Sequence, residues 1–484
     1  MEGSEVEREA LRPVASRVRA AARWAWHPDN RWFVLAVLVA LVLRLAWAIW
    51  TTSSTVTPRA DNGRYLTAAA QLAAGGTPAD PEGDPSAANA LGYPLLLAPA
   101  LWVAGKVGSP SYAFAASLVN VVLGTASVGF AGLLARSWIG RTARTPAAWL
   151  LALAPPHVYF TSVAMTETAF VTFTLGGLVV ATWLTAPGRR PKRWAWGAYG
   201  LLVGGAALIN PGGIVLLLAP ILMRCTRRWA WRPADWRRGA GGVGWAVLGM
   251  VLVLAPTGVR NGVEVGIWSP FPSSNAMAVC IGHRDEATGT EQVVDDDFVT
   301  DCFSHEAPLP GEQPDQQFAR WLAEDPDERD WYYTNVAEAP RWAISHPVEE
   351  VRLSVLKLWA SFKTSDGALS AAEDFGAQPI SGGIPREGLG WLAQLWHFGV
   401  LALAALGLAV VQRCRRAVPI WATSGLLALG ILVVHGSSRY NHTSMALLAI
   451  VAAGGLAALV AGGRTLAVAA PAPEGVVAAA GPAG

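Results

Sequence analysis

Charge is scarce in this 484-residue chain: Asp, Glu, Lys and Arg together make up 15% of it, against 52% hydrophobic residues. So little polar side chain cannot coat a water-soluble surface of this size, and the mean hydropathy is positive. The bilayer is the implied solvent. A net charge of only +2 gives no ground for nucleic-acid or other polyanion binding. A Gly-rich phosphate loop is missing, and so is any Cys/His cluster with zinc spacing. Cysteine is rare too, with four in the chain.

What is present is a succession of apolar runs separated by basic clusters. The first 31 residues carry Arg8, Arg12, Arg17, Arg19, Arg23 and Arg31, and then come the apolar residues Trp32 to Trp50. That run is too long for a cleaved signal peptide and has no small-residue cleavage site, so it reads as a retained first span. A membrane helix needs about 20 apolar residues and Lys/Arg favour the cytoplasmic side, which together give about ten crossings. They fall near 32–51, 112–135, 146–163, 167–186, 196–209, 211–223, 243–259, 389–412, 417–435 and 443–463. The apolar stretch Tyr93 to Val107 is read as lying flat or re-entering at the outer surface. A crossing there would put Arg136, Arg141 and Arg144 outside. Asn210-Pro211-Gly212-Gly213 breaks a run too long for one helix into two short ones.

The expected organisation is therefore a basic cytoplasmic segment 1–31, a membrane domain 32–259 with a first outer loop 52–110, and an extracytoplasmic domain 260–388. Closing spans occupy 389–463, and 464–484 reads as a disordered cytoplasmic tail. Residues 260–388 hold 23 of the 35 acidic residues but only nine of the 37 Lys/Arg. Both termini then face the cytoplasm, in a plasma (inner) membrane. Cys225 and Cys414 stand beside cytoplasmic arginines while Cys280 and Cys302 share the outer domain, so a Cys280 to Cys302 disulfide is expected, with two unpaired thiols as the alternative. Asp295-Asp296-Asp297 with Asp301 lacks EF-hand spacing and reads first as a solvated acidic face, with calcium as the alternative. The helix near 347–363 suits either an interfacial position or the core of the outer domain.

In the first outer loop, Arg59-Ala60-Asp61-Asn62-Gly63-Arg64-Tyr65 opens a surface helix that stops at Gly75-Gly76. Asp61 at its start can cap the helix. It can also act as a base toward an acceptor hydroxyl, given a raised pKa from partial burial. Arg44 lies in the outer half of the first span, where an unpaired arginine in hydrocarbon costs several kcal/mol, roughly 2.5 or more. Either it pairs with Asp61 or Glu167, or it faces a cavity. Arg260 and Arg439 stand at outer span ends, where they can hold a phosphate or snorkel to lipid headgroups. Glu167 opens the fourth span and can orient a sugar, assist a metal or compensate the helix dipole.

The ordered motifs "ADNGRYLTAAAQLAAGG", "ALGYPLLLAPA", "LAPPHVYFTSVAMTETAF", "GLLVGGAALINPGGIVLL", "APTGVRNGVEVG" and "SSRYNHTSMALLAIVAA" resemble the bacterial branch of the GT-C membrane glycosyltransferases. Nearest in pattern are the protein O-mannosyltransferase-like and aminoarabinose-transferase-like proteins, and the likeness covers about residues 32–460. The resemblance implies an all-α polytopic membrane fold with outer surface helices and a small extracytoplasmic domain. It also implies an inverting transfer of a sugar from a polyprenyl-phosphate donor to a protein, lipid or polysaccharide acceptor of the cell envelope, with Asp61 as catalytic residue. Arg44, Arg64, Arg260, Arg439 and Tyr440 are expected to bind the donor phosphate, and Tyr65, Tyr93 and Glu167 to support them. No cofactor is certain; a divalent metal remains an option. The chain departs from the family pattern at Asn62, where a second acidic residue is common, at Asn89 before the GYP motif, and at Asn210, where an Arg is common. The alternatives of another class are a lipid or solute transporter or flippase, and a catalytically inactive membrane scaffold of the same fold.

Overall fold

The computed structural model describes residues 25–52, 60–79, 83–108, 111–227, 233–284, 287–290, 328–374 and 386–461. The described residues are helical, and β pairing among them is limited to two isolated bridges. Cys302, Gln316, the acidic run 295–301 and the tail 464–484 lie outside the described residues.

Helix α1 (Pro28–Thr51) is followed by two shorter helices, α2 (Ala60–Ala73) and α3 (Gly92–Lys106), and then by α4 (Tyr112–Trp138). The chain goes on through α5 (Arg141–Ala152), α6 (Pro155–Tyr159), α7 (Thr166–Leu184), α8 (Arg193–Ile209), α9 (Ala219–Arg227) and α10 (Pro233–Glu264). Past α10 come α11 (Ser274–Gly282), α12 (Glu328–Ser345), α13 (Pro347–Phe362) and α14 (Gly367–Asp374). The closing helices are α15 (Arg386–Val410), α16 (Gln412–Arg416), α17 (Val418–Gly430) and α18 (His442–Val460).

Among the described residues six helices are long and apolar enough to cross a bilayer: α1, α4, α7, Gly241–Glu264 of α10, α15 and α18. Where the other crossings were expected, the helices are shorter. Residues 211–226 and 418–433 are shorter apolar helices, while 146–163 is split between α5, α6 and a 3-10 turn. The protein is thus a multi-pass membrane protein. Helix α3, at 15 residues, is about 22 Å long, shorter than a hydrocarbon core of roughly 30 Å.

The main core runs through the spans and is rich in small residues. Ala131, Ala135, Ala147, Ala148, Ala449 and Ala453 let helix backbones approach, the usual way of packing helices where the surrounding lipid is as apolar as the side chains. A separate cluster joins α2 and α3 through Leu66, Ala69, Tyr93, Leu97 and Leu101. Gly92 lets the start of α3 approach the end of α8, because a Cβ there would lie 2.6 Å from the Ile209 nitrogen. The ends of α1 and α8 and the starts of α7 and α18 gather at one end of the bundle, together with α2. The basic cluster 189–193 lies at the other end of α7 and α8, and Arg413 of the cluster 413–416 donates to Ile139 O just past α4.

Candidate functional site

Three acidic or basic side chains from distant parts of the chain meet at the end of the bundle that carries α2. Arg439, in the loop before α18, bridges two carboxylates: its Nη2 lies 3.1 Å from Asp61 Oδ2 and its Nε 3.2 Å from Glu167 Oε1. Arg64, one turn along α2, pairs with Asp61 Oδ1. The Asp61 side chain is 28% exposed and that of Glu167 10%, so the cluster is enclosed but open to one side. Glu167 Oε2 has no hydrogen-bond partner among the described residues.

Local sequence explains how the two carboxylates come together. Asp61 stands in the first turn of α2 and Glu167 in the first turn of α7, where acidic residues favour the positive end of the helix dipole. Asn62 is buried, and its Oδ1 accepts a 2.7 Å hydrogen bond from the Ala164 amide, two residues before α7. The Asn62 amide side chain thus fastens the start of α2 to the approach of α7. Asn210, another departure, caps the 3-10 segment Pro211–Leu218 by accepting from the Gly212 amide at 2.9 Å.

Electrostatics correct one expectation. Partial burial was to raise the Asp61 pKa. Burial does push that carboxyl up, but the charges of Arg439 and Arg64 and the hydrogen bonds from both outweigh it, leaving the group below the ordinary carboxylate value. Burial first, and then the negative charges of Asp61 and Glu167, raise the Tyr65 phenol above its usual value, so Tyr65 is a proton donor here and not a base. Tyr65 meets Tyr93 edge to face at 5.7 Å. Tyr93 is fully buried and donates its hydroxyl to Asn120 Oδ1 at 3.0 Å, while Asn120 Nδ2 donates to Val163 O at 2.8 Å. Asn120, which no sequence motif singles out, therefore braces the two tyrosines against the loop leading to α7.

Two of the expected phosphate-binding arginines are engaged elsewhere. Arg44 pairs with neither Asp61 nor Glu167. It is fully buried, and its guanidinium donates to Leu151 O at 3.1 Å, Ala152 O at 3.3 Å and Ala40 O at 3.3 Å. The physical reason lies in the sequence. In a continuous helix those two carbonyls would accept from residues 155 and 156, which are prolines and have no N–H. Arg44 supplies the donors that Pro155 and Pro156 lack. Arg260 donates to Pro78 O at 2.7 Å and Ser86 O at 2.6 Å and pairs with Glu264, stapling the first loop to α10 instead of meeting Asp61. Tyr440 lies beside Arg439 in sequence, with its hydroxyl 3.2 Å from His435 Nε2.

The loop carrying Arg439 is itself held in place. Asn441 Nδ2 donates to Ser361 O and Thr364 O at 2.5 and 3.1 Å, and the Ser437 amide donates to Ser361 Oγ at 3.1 Å. Gly367 is required beneath it, since a Cβ would lie 2.6 Å from Ser438 Oγ and 3.1 Å from the Arg439 nitrogen. Among the described residues no three His, Cys, Asp or Glu side chains converge as metal ligands. Between Asp61 and Glu167, where a cation would sit, the guanidinium of Arg439 is placed instead. Cys225 and Cys414 are free thiols and Cys280 is disulfide-bonded; its expected partner, Cys302, lies outside the described residues.

A helical bundle with short helices in the first loop and a charged cluster at the end of the spans is similar in fold to a solved membrane oligosaccharyltransferase. Among solved structures, the oligosaccharyltransferase AglB from Archaeoglobus fulgidus, in complex with an inhibitory peptide and a dolichol-phosphate, superposes with a TM-score of 0.50 at 13% identity, covering 91% of this chain and 52% of that one. Its apo form gives 0.51 at 12% identity, with 90% and 51% covered. ArnT from Cupriavidus metallidurans bound to undecaprenyl phosphate gives 0.37 at 17% identity, with 88% and 77% covered. The likeness to AglB is one of fold, and this chain spans about half the length of that enzyme. No family model and no curated protein matches the sequence.

Proposed function

We propose that this protein is an inverting glycosyltransferase that moves a sugar from a polyprenyl-phosphate carrier to a hydroxyl acceptor on the non-cytoplasmic side of the membrane. The observation that carries the reading is the bridge made by Arg439 between Asp61 and Glu167 at the membrane end of a GT-C-like bundle. The dolichol-phosphate held by AglB supports a lipid-phosphate donor for the same fold.

A phosphate is a good leaving group, so the remaining work is to neutralise it and to take a proton from the acceptor. The acceptor oxygen bonds to the anomeric carbon on the face opposite the phosphate. The bond from that carbon to the phosphate oxygen breaks, with the electron pair leaving on the phosphate, and Asp61 takes the hydroxyl proton. Arg439 and Arg64 are the cationic clamp. Without donor they neutralise Asp61; a donor phosphate draws their charge away and lets the carboxyl pKa climb toward that of a useful base. Tyr65, backed by the buried Tyr93, offers an aromatic face to the sugar, and Glu167 orients its hydroxyls through the free Oε2. The metal expected as an option enters no step, because Arg439 holds the place between the carboxylates.

The test is release of polyprenyl phosphate from a radiolabelled polyprenyl-phosphate hexose by the full chain in proteoliposomes. Asp61→Asn should leave a folded protein whose transfer is down by about 100- to 10,000-fold. Near-normal transfer by that variant rejects the assignment of the base. Sugar-lipid crossing the bilayer without release would point to a transporter instead.

A further inference from the structure

Helix α13 exposes a stripe of large apolar side chains that no function assigned so far uses. Val348, Val351, Val355 and Trp359 are 82%, 66%, 62% and 65% exposed. Spaced three or four apart, they fall on one arc of the helix, with Ile344 at the end of α12 extending the line at 81% exposure. Arg352, the charged residue on that arc, pairs with Glu349 at its edge. Such a contiguous apolar surface marks a site of contact with another phase or molecule.

The buried side of the same helix says how deep it sits, because it is tied to three membrane segments. Lys357 Nζ donates to Leu432 O at 3.0 Å, in the last turn of the apolar segment 418–433. Ser361 O accepts from Asn441 at the start of the candidate span α18. Phe362 O lies 2.8 Å from His397 Nε2, which donates to it. His397 is well inside the candidate span α15, about 16 Å along from its start at Arg386. The Phe362 ring packs against the core shared by the spans. Val433, beside Leu432, is 59% exposed, so the surface that α13 continues is already that of a membrane segment.

We propose that α13 is an in-plane membrane helix whose Val348, Val351, Val355 and Trp359 face occupies the lipid leaflet at the end of the bundle that carries Asp61. A tryptophan at the end of the stripe fits the interface between headgroups and acyl chains, and Arg352 can reach from the edge of the stripe to lipid phosphates. A soluble peptide or a second copy of the chain is disfavoured by this depth, since α13 is pinned beside the ends of spans that lipid must surround. The opposite face of α13 holds the Arg439 loop through Ser361, so the leaflet sets the height of Arg439 relative to lipid phosphates; this consequence for transfer rests on the proposed function, whereas the depth of the helix does not.

The experiment measures depth directly. Nitroxide is attached at Val355→Cys, and for comparison at Glu338→Cys, in the full chain carrying Cys225→Ser and Cys414→Ser, reconstituted in nanodiscs of phosphatidylcholine and phosphatidylglycerol. The expected result is a severalfold higher ratio of oxygen to nickel-chelate accessibility at position 355 than at 338. High nickel accessibility at 355 would place the stripe in water, and low accessibility to both reagents would place it under protein; either overturns the proposal. Benzoylphenylalanine at Val355, in a chain with all its cysteines intact, gives a second reading that does not depend on the serine replacements. Lipid adducts after illumination are expected, and peptide adducts alone overturn the assignment. Neither measurement uses sugar transfer, so a failure here is distinguishable from a failure of the glycosyltransferase reading.

Discussion

Asp61 is held ionised by two guanidinium groups, and removing one of them should be visible in a pH profile. In Arg439→Gln the larger of the two opposing charges is gone while burial remains, so the carboxyl pKa rises. The acid limb of kcat/KM is expected to move to higher pH, and the KM for the lipid-phosphate donor to increase; an unmoved limb would show that Arg439 does not govern Asp61. Linkage gives the matching sign for stability. A carboxyl whose folded pKa lies below the unfolded value of about 3.9 stabilises the fold above that value, and loses the contribution as pH falls through the folded pKa. Asp61, Arg64 and Glu167 were legible in the sequence because each sits at a helix start or in a short motif. The direction of the Asp61 shift was not, since partial burial and two cations act in opposite senses and only their distances decide which prevails.

At the scale of the element, the break between α5 and α6 shows how a charged residue can serve the fold. Pro155 and Pro156 leave Leu151 and Ala152 without their helical donors, and Arg44 reaches across from α1 to supply them. Arg44→Met should lower stability by about 1–3 kcal/mol, the range for a buried acceptor left unsatisfied, with relief of the buried charge offsetting part of the loss. A detergent melting curve checks this, and the surviving folded fraction should keep a near-normal donor KM. A large rise in KM would restore Arg44 to the phosphate clamp. The arginine in a span and the double proline are both plain in the sequence. That one answers the other is not, because Arg44 and the carbonyls of Leu151 and Ala152 are 107 and 108 residues apart and only helix packing aligns them. Helices α2 and α3 were easier to foresee, because each short run carries its helical signal within itself.

For the whole molecule, sidedness is the expectation that charge distribution makes and that labelling can check. Arg190→Cys, in the basic cluster between α7 and α8, and Ser345→Cys, at the end of α12, should react with a membrane-impermeant maleimide from opposite sides of oriented vesicles. Labelling of both from the same side would remove the non-cytoplasmic placement of the site. It would leave the fold untouched, since a bundle of this kind packs the same way in either orientation.

Sequence alone determined that the chain lives in a bilayer, roughly where its apolar runs lie, and that an aspartate opens a helix in the first long loop. Those properties follow from composition and local periodicity, which any stretch of some 20 residues carries within itself. Only the tertiary structure decided which arginine meets that aspartate. Arg44, Arg260 and Arg439 are equivalent candidates as charges near span ends. Arg439 is the one brought into contact, across 378 positions, because the hydrogen bond from Asn441, just before α18, to Ser361 of α13 and the Asn62 link between α2 and α7 set the distances.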